Sequence, residues 1–136
     1  MPATSDARAL AVAAAGGGLG ALARYAVDLT ADEFGFARPW ATLAINVVGC
    51  LLMGVLVSYV LAHPARHQLW RPFLGAGVLG GFTTFSAFAG DAVLLGDQGA
   101  WAVGAAYVVA TLAGGLLALW VGYGMGHALR RRRPVT

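Results

Sequence analysis

Asn46 lies inside an uncharged stretch, with Thr42 one turn before it and Gly49 nearly one turn after, so the three share one helix face. A primary amide among apolar neighbours either bonds an adjacent helix or donates to something passing through, and the lone residue leaves both readings open. Residues 75–88 read Gly-Ala-Gly-Val-Leu-Gly-Gly-Phe-Thr-Thr-Phe-Ser-Ala-Phe. Gly80 and Gly81 followed by the β-branched pair Thr83 and Thr84 are poor helix formers, which predicts a break. Freed carbonyls and N–H groups at such breaks recur at ion sites in membranes. Phe82, Phe85 and Phe88 follow at a spacing of three. A phenylalanine stripe ordinarily packs, but the interleaved hydroxyls of Thr83, Thr84 and Ser86 would gain nothing from lipid. Arg24 is the one charge well inside an apolar run; it would snorkel, pair with Asp28 one turn on, or draw anions. Tyr107 and Thr111 stand one turn apart, as lining of the same route or, for Tyr107, as an interfacial anchor.

Other signals fail. Residues 18–23 mimic a loose dinucleotide fingerprint, without a preceding strand or a following acidic residue. His63 and His67 are four apart, but Pro64 intervenes and a third ligand is missing. The single cysteine, Cys50, excludes an intramolecular disulfide. No nucleophile elbow, phosphate-loop lysine or zinc pattern occurs, so a catalytic constellation is not expected.

The elements that must position these residues follow from composition. Of 136 residues, 59% are hydrophobic, 20 are Gly and only 11% are charged, with a mean hydropathy of +0.71. A soluble domain carries about 25% charged residues, and disorder requires the opposite bias, so the chain reads as a small integral membrane protein. A crossing needs about 20 apolar residues. Runs at 9–27, 41–62, 72–90 and 101–126 meet that length, the first weakened by Arg24 and a glycine cluster. The expected fold is all-α, one domain over residues 1–136 with four transmembrane helices, the third broken. The connections are short and polar. A cleavable signal is not expected, because the first apolar run lacks a basic leader. Gly16 with Gly20, Gly77 with Gly81, and Gly122 with Gly126 fall four apart, the spacing that lets helix backbones approach in lipid. Four thin helices can hardly enclose a pathway alone, so an oligomer is expected.

Charge orients the chain. All nine basic residues are Arg, and four of them, Arg130 to Arg133, stand together. Beside an apolar segment such a cluster reads as an orientation signal or an anionic-lipid contact, not as a nucleic-acid site. Four crossings place seven Arg (Arg8, Arg66, Arg71 and the terminal four) on one side and at most two, Arg38 and Arg24, on the other. Both termini are therefore expected in the cytoplasm, in the dominant orientation, at the cell membrane.

Four segments together resemble the fluoride channel family known as Fluc or CrcB. They are the Gly-Gly-Gly-Leu-Gly-Ala-Leu-Ala-Arg-Tyr stretch ending at Arg24 and Tyr25, Thr-Leu-Ala-Ile-Asn-Val-Val-Gly over 42–49, Gly-Gly-Phe-Thr-Thr-Phe-Ser-Ala-Phe over 80–88, and Tyr107 with Thr111. Ala87 stands where the family often has Thr, and Asp91 where it often has Glu. The resemblance implies a fluoride-selective channel formed by an antiparallel, dual-topology dimer with two pores. It further implies that Asn46 donates to the anion and that Phe85 and Phe88 face it. Ser86, Thr42, Thr111 and Tyr107 would be polar lining, with Arg24 at the vestibule. The carbonyls of Gly80 and Thr83 would hold a structural Na⁺ at the dimer interface.

Two alternatives compete. A proton-coupled four-helix transporter needs an ionisable carboxylate in the membrane, and the first three runs hold none away from their ends. A structural subunit leaves Asn46, the break and the Phe85/Phe88 pair unexplained together. The Arg bias adds an expectation about the partner. An antiparallel homodimer needs weak orientation bias, so a heterodimer with a homologous chain of opposite charge bias competes with it.

Overall fold

The computed structural model describes residues 3–62 and 69–131. His63, Pro64, Arg66 and His67, and Arg132 and Arg133, lie outside the described residues. Four helical spans, Asp6–Glu33, Arg38–Val60, Arg71–Asp97 and Trp101–Arg131, are long and apolar enough to cross a membrane, so the chain is a multi-pass membrane protein.

Helix α1, Ala3–Glu33, is rich in alanine, which carries no side-chain entropy cost in a helix. It stops where Gly35 takes a φ of +71°. There the Phe36 N–H reaches back to the Ala31 carbonyl at 2.9 Å and the Gly35 N–H to Asp32 at 3.0 Å, the pattern by which a left-handed glycine satisfies the last carbonyls of a helix. Helix α2, Arg38–Ala62, begins with Pro39 at its second position, where a missing N–H is harmless.

The third span is composite. A π-helical stretch, Arg71–Leu79, runs into one α-helical turn, Gly80–Phe82, which together form α3. Thr83 (φ −75°, ψ 156°) and Thr84 (φ −146°, ψ 118°) are extended, the conformation that their β-branched side chains favour. Helix α4, Phe85–Asp97, then restarts with Thr84 as its cap, the hydroxyl accepting from the Ala87 N–H at 3.1 Å. The expected break is thus present. Helix α4, however, runs seven residues past the 72–90 limit read from charge, and Asp91 is a helical residue rather than part of a connection. A second glycine at positive φ, Gly99, ends α4 as Gly35 ends α1, and α5 is Trp101–Arg131.

Helix α1 lies along α3, and α2 along α5. A Cβ added to Gly16 or Gly20 would strike the carbonyl of Phe73 or Val78, and one on Gly122 the carbonyl of Leu51. Of the expected glycine pairs, Gly16, Gly20, Gly77, Gly81 and Gly122 bring backbone against backbone, while Gly126 makes room for the Ser58 side chain. Most large apolar side chains point outward, while Thr42, Ser58, Asp91 and Thr111 are buried with Ile45, Phe88 and Tyr107. Lipid rewards that inversion, since it cannot hydrate polar groups.

Candidate functional site

One face of α2 meets three successive parts of the broken span. Gly49 sits under Thr83, whose methyl group would collide with any Cβ there. One turn earlier, the Asn46 amide bridges the break. Its Nδ2 donates to the Thr84 carbonyl at 3.0 Å, and its Oδ1 accepts from the Thr84 N–H at 2.8 Å. A further turn back, Thr42 donates through Oγ1 to Asp91 Oδ2 at 2.7 Å. The shared face read from the sequence is therefore real, and each of its members engages the break or the helix that follows it.

The structure shows the first reading of Asn46, a bond to an adjacent segment, and leaves one of its donor hydrogens over. An amide nitrogen has two donor hydrogens, and the bond to Thr84 uses one. The other belongs to a side chain that borders a cavity of about 330 Å³ together with Thr83, Thr84, Phe85, Phe88, Thr111 and Cys50. Phe85 and Phe88 lie 5.7 Å apart at 53°. Phe88 is buried, whereas Phe85 is 78% exposed. Phe82 belongs to α3, on the other side of the break, so the aromatic stripe expected over three residues reduces to this pair.

The pairing of Thr84 with Asn46 has a consequence for the backbone. In a continuous helix the Thr84 N–H would close onto the Gly80 carbonyl and the Ala87 N–H onto that of Thr83. Instead the first goes to Asn46 and the second to the Thr84 hydroxyl. The Gly80 and Thr83 oxygens are thereby released from their ordinary donors, and uncharged carbonyl oxygens are the ligand type a hard monovalent cation takes. Among the described residues no cluster of three or more His, Cys, Asp or Glu side chains could hold a metal.

The remaining residues do not all join the cavity. Arg24 donates through Nε to the Gly81 carbonyl at 3.3 Å, so it clamps α1 to the end of α3 instead of pairing with Asp28. Ser86 lies on the exposed face, 3.3 Å from the Thr84 hydroxyl. Tyr107 is completely buried, which removes the interfacial-anchor reading. Its ring lies 5.6 Å from that of Phe88, and its hydroxyl 3.5 Å from Asp91 Oδ2. Thr111, which does border the cavity, returns its own proton to the Tyr107 carbonyl at 2.8 Å.

Asp91 and Arg38 were missed by the sequence reading. Asp91 is 2% exposed and accepts from Thr42, while Arg38 Nε stands 3.5 Å from its Oδ1. A hydropathy reading cuts the span at the first charge. The available signal was that Asp91 follows Phe88 by three residues, on one helix face, with Ala92 to Leu95 continuing apolar beyond it.

A family model described as CrcB-like protein, Camphor Resistance (CrcB), matches residues 11–123. The chain is 44% identical over 117 residues to "Fluoride-specific ion channel FluC 1" of Streptomyces coelicolor, a match covering 86% of this chain and 76% of that protein. It is 41% identical over 121 residues to "Fluoride-specific ion channel FluC" of Agrobacterium fabrum, covering 88% and 97% respectively. The protein of the same name in Paracoccus denitrificans is 43% identical over 116 residues, covering 85% and 92%.

Proposed function

The chain belongs to the CrcB-like family, and from that premise we propose that it is a fluoride-selective channel, not an enzyme, through which cytoplasmic fluoride leaves passively and its toxicity falls. The observation that carries the reading is Asn46 pinned across the break beside the Phe85/Phe88 pair, in a chain whose relatives are fluoride-specific channels.

Fluoride is small and strongly hydrated, so a selective passage must replace its water at close range. The second N–H of Asn46 is the free donor at the cavity, while Thr111, Thr42 and Tyr107 give their single protons to the Tyr107 carbonyl and to Asp91 and would have to turn their hydroxyls to serve the ion, as Ser86 would from the exposed side. The positive edge of an aromatic ring also accepts an anion, while its face repels one. Phe85 and Phe88 presented edge-on would line the dry stretch. Contacts this weak suit conduction, which fails where any site holds the ion too well. Hydrogen fluoride enters cells as a neutral acid and ionises in a less acidic cytoplasm. A negative membrane potential then drives the ion out through a passive pore.

The pathway is completed by a second chain, packed antiparallel so that the pair forms two pores. Support comes from the cavity's unfinished side: Phe85 is 78% exposed, and Ser86 is exposed beside Thr84. Hydroxyls gain nothing from lipid there, whereas a facing subunit would use them. A structural Na⁺ between the subunits would be held by the carbonyls of Gly80 and Thr83. The residues fit that role, since both oxygens have lost their helical donors. Such an ion would supply fixed positive charge beside the break.

Seven Arg on the side of the termini against at most two on the other favour one orientation, with both termini in the cytoplasm. The partner is then a homologous chain of opposite charge bias, and not a second copy inserted upside down. Expressing this chain alone, mapping its termini by cysteine accessibility and measuring flux checks this. Mixed orientation with full activity would establish the homodimer instead.

Asp91 is a carboxylate inside the third span, which the transporter alternative requires. Arg38 and Thr42 hold it in fixed contacts, which suits a static component better than a proton carrier. The deciding assay is efflux of fluoride from liposomes containing the purified protein, alone and with its partner, with chloride as control. Fluoride should leave and chloride should stay; equal rates would sink the proposal.

A further inference from the structure

The polar groups of this chain form a column that leaves the cavity at one end. Asn46, Thr111 and Phe88 border the cavity. Phe88 adjoins Tyr107 at 5.6 Å. Tyr107 and Thr42 both approach Asp91 Oδ2, at 3.5 Å and 2.7 Å. Arg38, the first residue of α2 and 70% exposed, closes the series at the surface, with Nε 3.5 Å from Asp91 Oδ1. An anion following the hydroxyls outward thus meets a buried carboxylate, the least favourable group it could encounter. Both hydroxyls nearest that end are turned toward the same carboxylate oxygen.

We propose that Arg38 is a positioning residue for conduction: its guanidinium cancels the charge of Asp91 at this mouth and draws Oδ1 outward, so that the mouth admits an anion. This rests on the channel reading above. Among the described residues Arg38 is the one cation in contact with Asp91. Without it, an uncompensated negative charge would remain behind an exposed mouth, where its field reaches an approaching anion. Asp91 itself ties α4 to α2 through Thr42, and Arg38 makes that tie compatible with passage of a negative ion.

Single-channel recording separates this role from a purely structural one, because a broken helix tie lowers the number of active channels while a charge at the mouth lowers the current through each. Arg38→Gln should reduce unit anion conductance about tenfold at low ionic strength, with the deficit shrinking at high salt as the charge is screened. Arg38→Gln combined with Asp91→Asn should return conductance to within about threefold of wild type, since the charge is then removed from both sides. To exclude a folding defect, Arg38→Cys in a Cys50→Ala background is assembled first and modified afterwards. A cationic thiol reagent should raise unit conductance and an anionic one of similar size should not. Unchanged conductance in Arg38→Gln, a double variant as slow as the single one, or equal effects of the two reagents would each overturn the inference. If wild type passed chloride as readily as fluoride, the channel's selectivity would be refuted while these charge effects on anion current would still decide the role of Arg38.

Discussion

A side chain on Gly122 would strike the Leu51 carbonyl, one on Gly54 the Leu119 carbonyl and one on Gly81 the Gly17 carbonyl, whereas a side chain on Gly80 would meet only the Gly75 oxygen at an ordinary 3.6 Å. The first three lie in the seams where α1 runs along α3 and α2 along α5; the last lies in the final turn of α3, whose Gly80 carbonyl the break releases. In the seams glycine is used for closeness. Apolar side chains gain nothing by leaving lipid tails, so helices associate through backbone approach and close packing. At the break, glycine and the threonines loosen the helix, and side chains take up the freed N–H groups of Thr84 and Ala87. The seams are satisfied within one chain, while the break leaves a cavity, an exposed Phe85 and two carbonyls without helical donors. On the proposed reading, stability and conduction fall on different helix faces, and substitutions should separate them.

The largest effect belongs to the seams. Gly122→Leu should abolish the folded protein, read as loss of a monodisperse species in detergent. Overpacking ordinarily costs about 1–3 kcal/mol, and here the obstacle is backbone, which cannot rotate away. The matched control is Gly124→Leu, two residues on, where nothing lies within 4 Å. It should leave assembly unchanged. Loss of assembly in both would mean that helix propensity, and not the seam, sets the requirement.

At the break the loss should fall on flux. Asn46→Asp keeps an acceptor for the Thr84 N–H but turns an oxygen toward the Thr84 carbonyl and brings a charge to the cavity. Fluoride efflux should drop by about a hundredfold or more, the rate equivalent of ~2.7 kcal/mol. Phe88→Ala should act similarly by removing the ring between Phe85 and Tyr107. Both proteins should still elute as the wild type does. Normal efflux from either would return that residue to packing.

These two regions were unequally legible in the sequence. The seams could be read because glycines four apart have a single geometric use in lipid, and the break because Gly80, Gly81, Thr83 and Thr84 all disfavour helix together. The face carrying Thr42, Asn46 and Gly49 followed from helical periodicity alone. What that face touches did not: Asn46 and Thr84 are 38 residues apart, and only packing brings them together. Arg24 offered three readings by sequence, and none was its bond to Gly81. Asp91 was hidden because charge marks the end of a span only when no buried partner compensates it, and Arg38 and Thr42 do.

Ser86 sharpens the comparison from the exposed side. Its hydroxyl is within hydrogen-bond distance of the Thr84 hydroxyl, and it stands outside the cavity of the single chain. If a second subunit completes the passage, Ser86→Ala should lower fluoride efflux about fivefold, the equivalent of one net hydrogen bond of ~1 kcal/mol. Thermal stability should not move. Unchanged flux would remove Ser86 from the pathway and make its hydroxyl incidental to the capping of α4.

Arg24 should give the smallest change, and it tests whether the two regions are independent where they touch. Its Nε holds the Gly81 carbonyl, at the last turn of α3 before the break, while the rest of the guanidinium remains charged and partly exposed. Two functions are superimposed there, a clamp between α1 and α3 and a positive charge that concentrates anions. Substitution can divide them. Arg24→Gln keeps an N–H donor within reach of the carbonyl but removes the charge, so melting should be nearly unaffected. Flux at low ionic strength should fall about two- to threefold, and the deficit should disappear at high salt, since a single exposed charge acts through a field that salt screens. Arg24→Leu removes both functions and should add a loss of ~1 kcal/mol in stability, the cost of one hydrogen bond. A salt-independent deficit in Arg24→Gln would locate the effect in the clamp, and the seam would then be shown to set the geometry of the break.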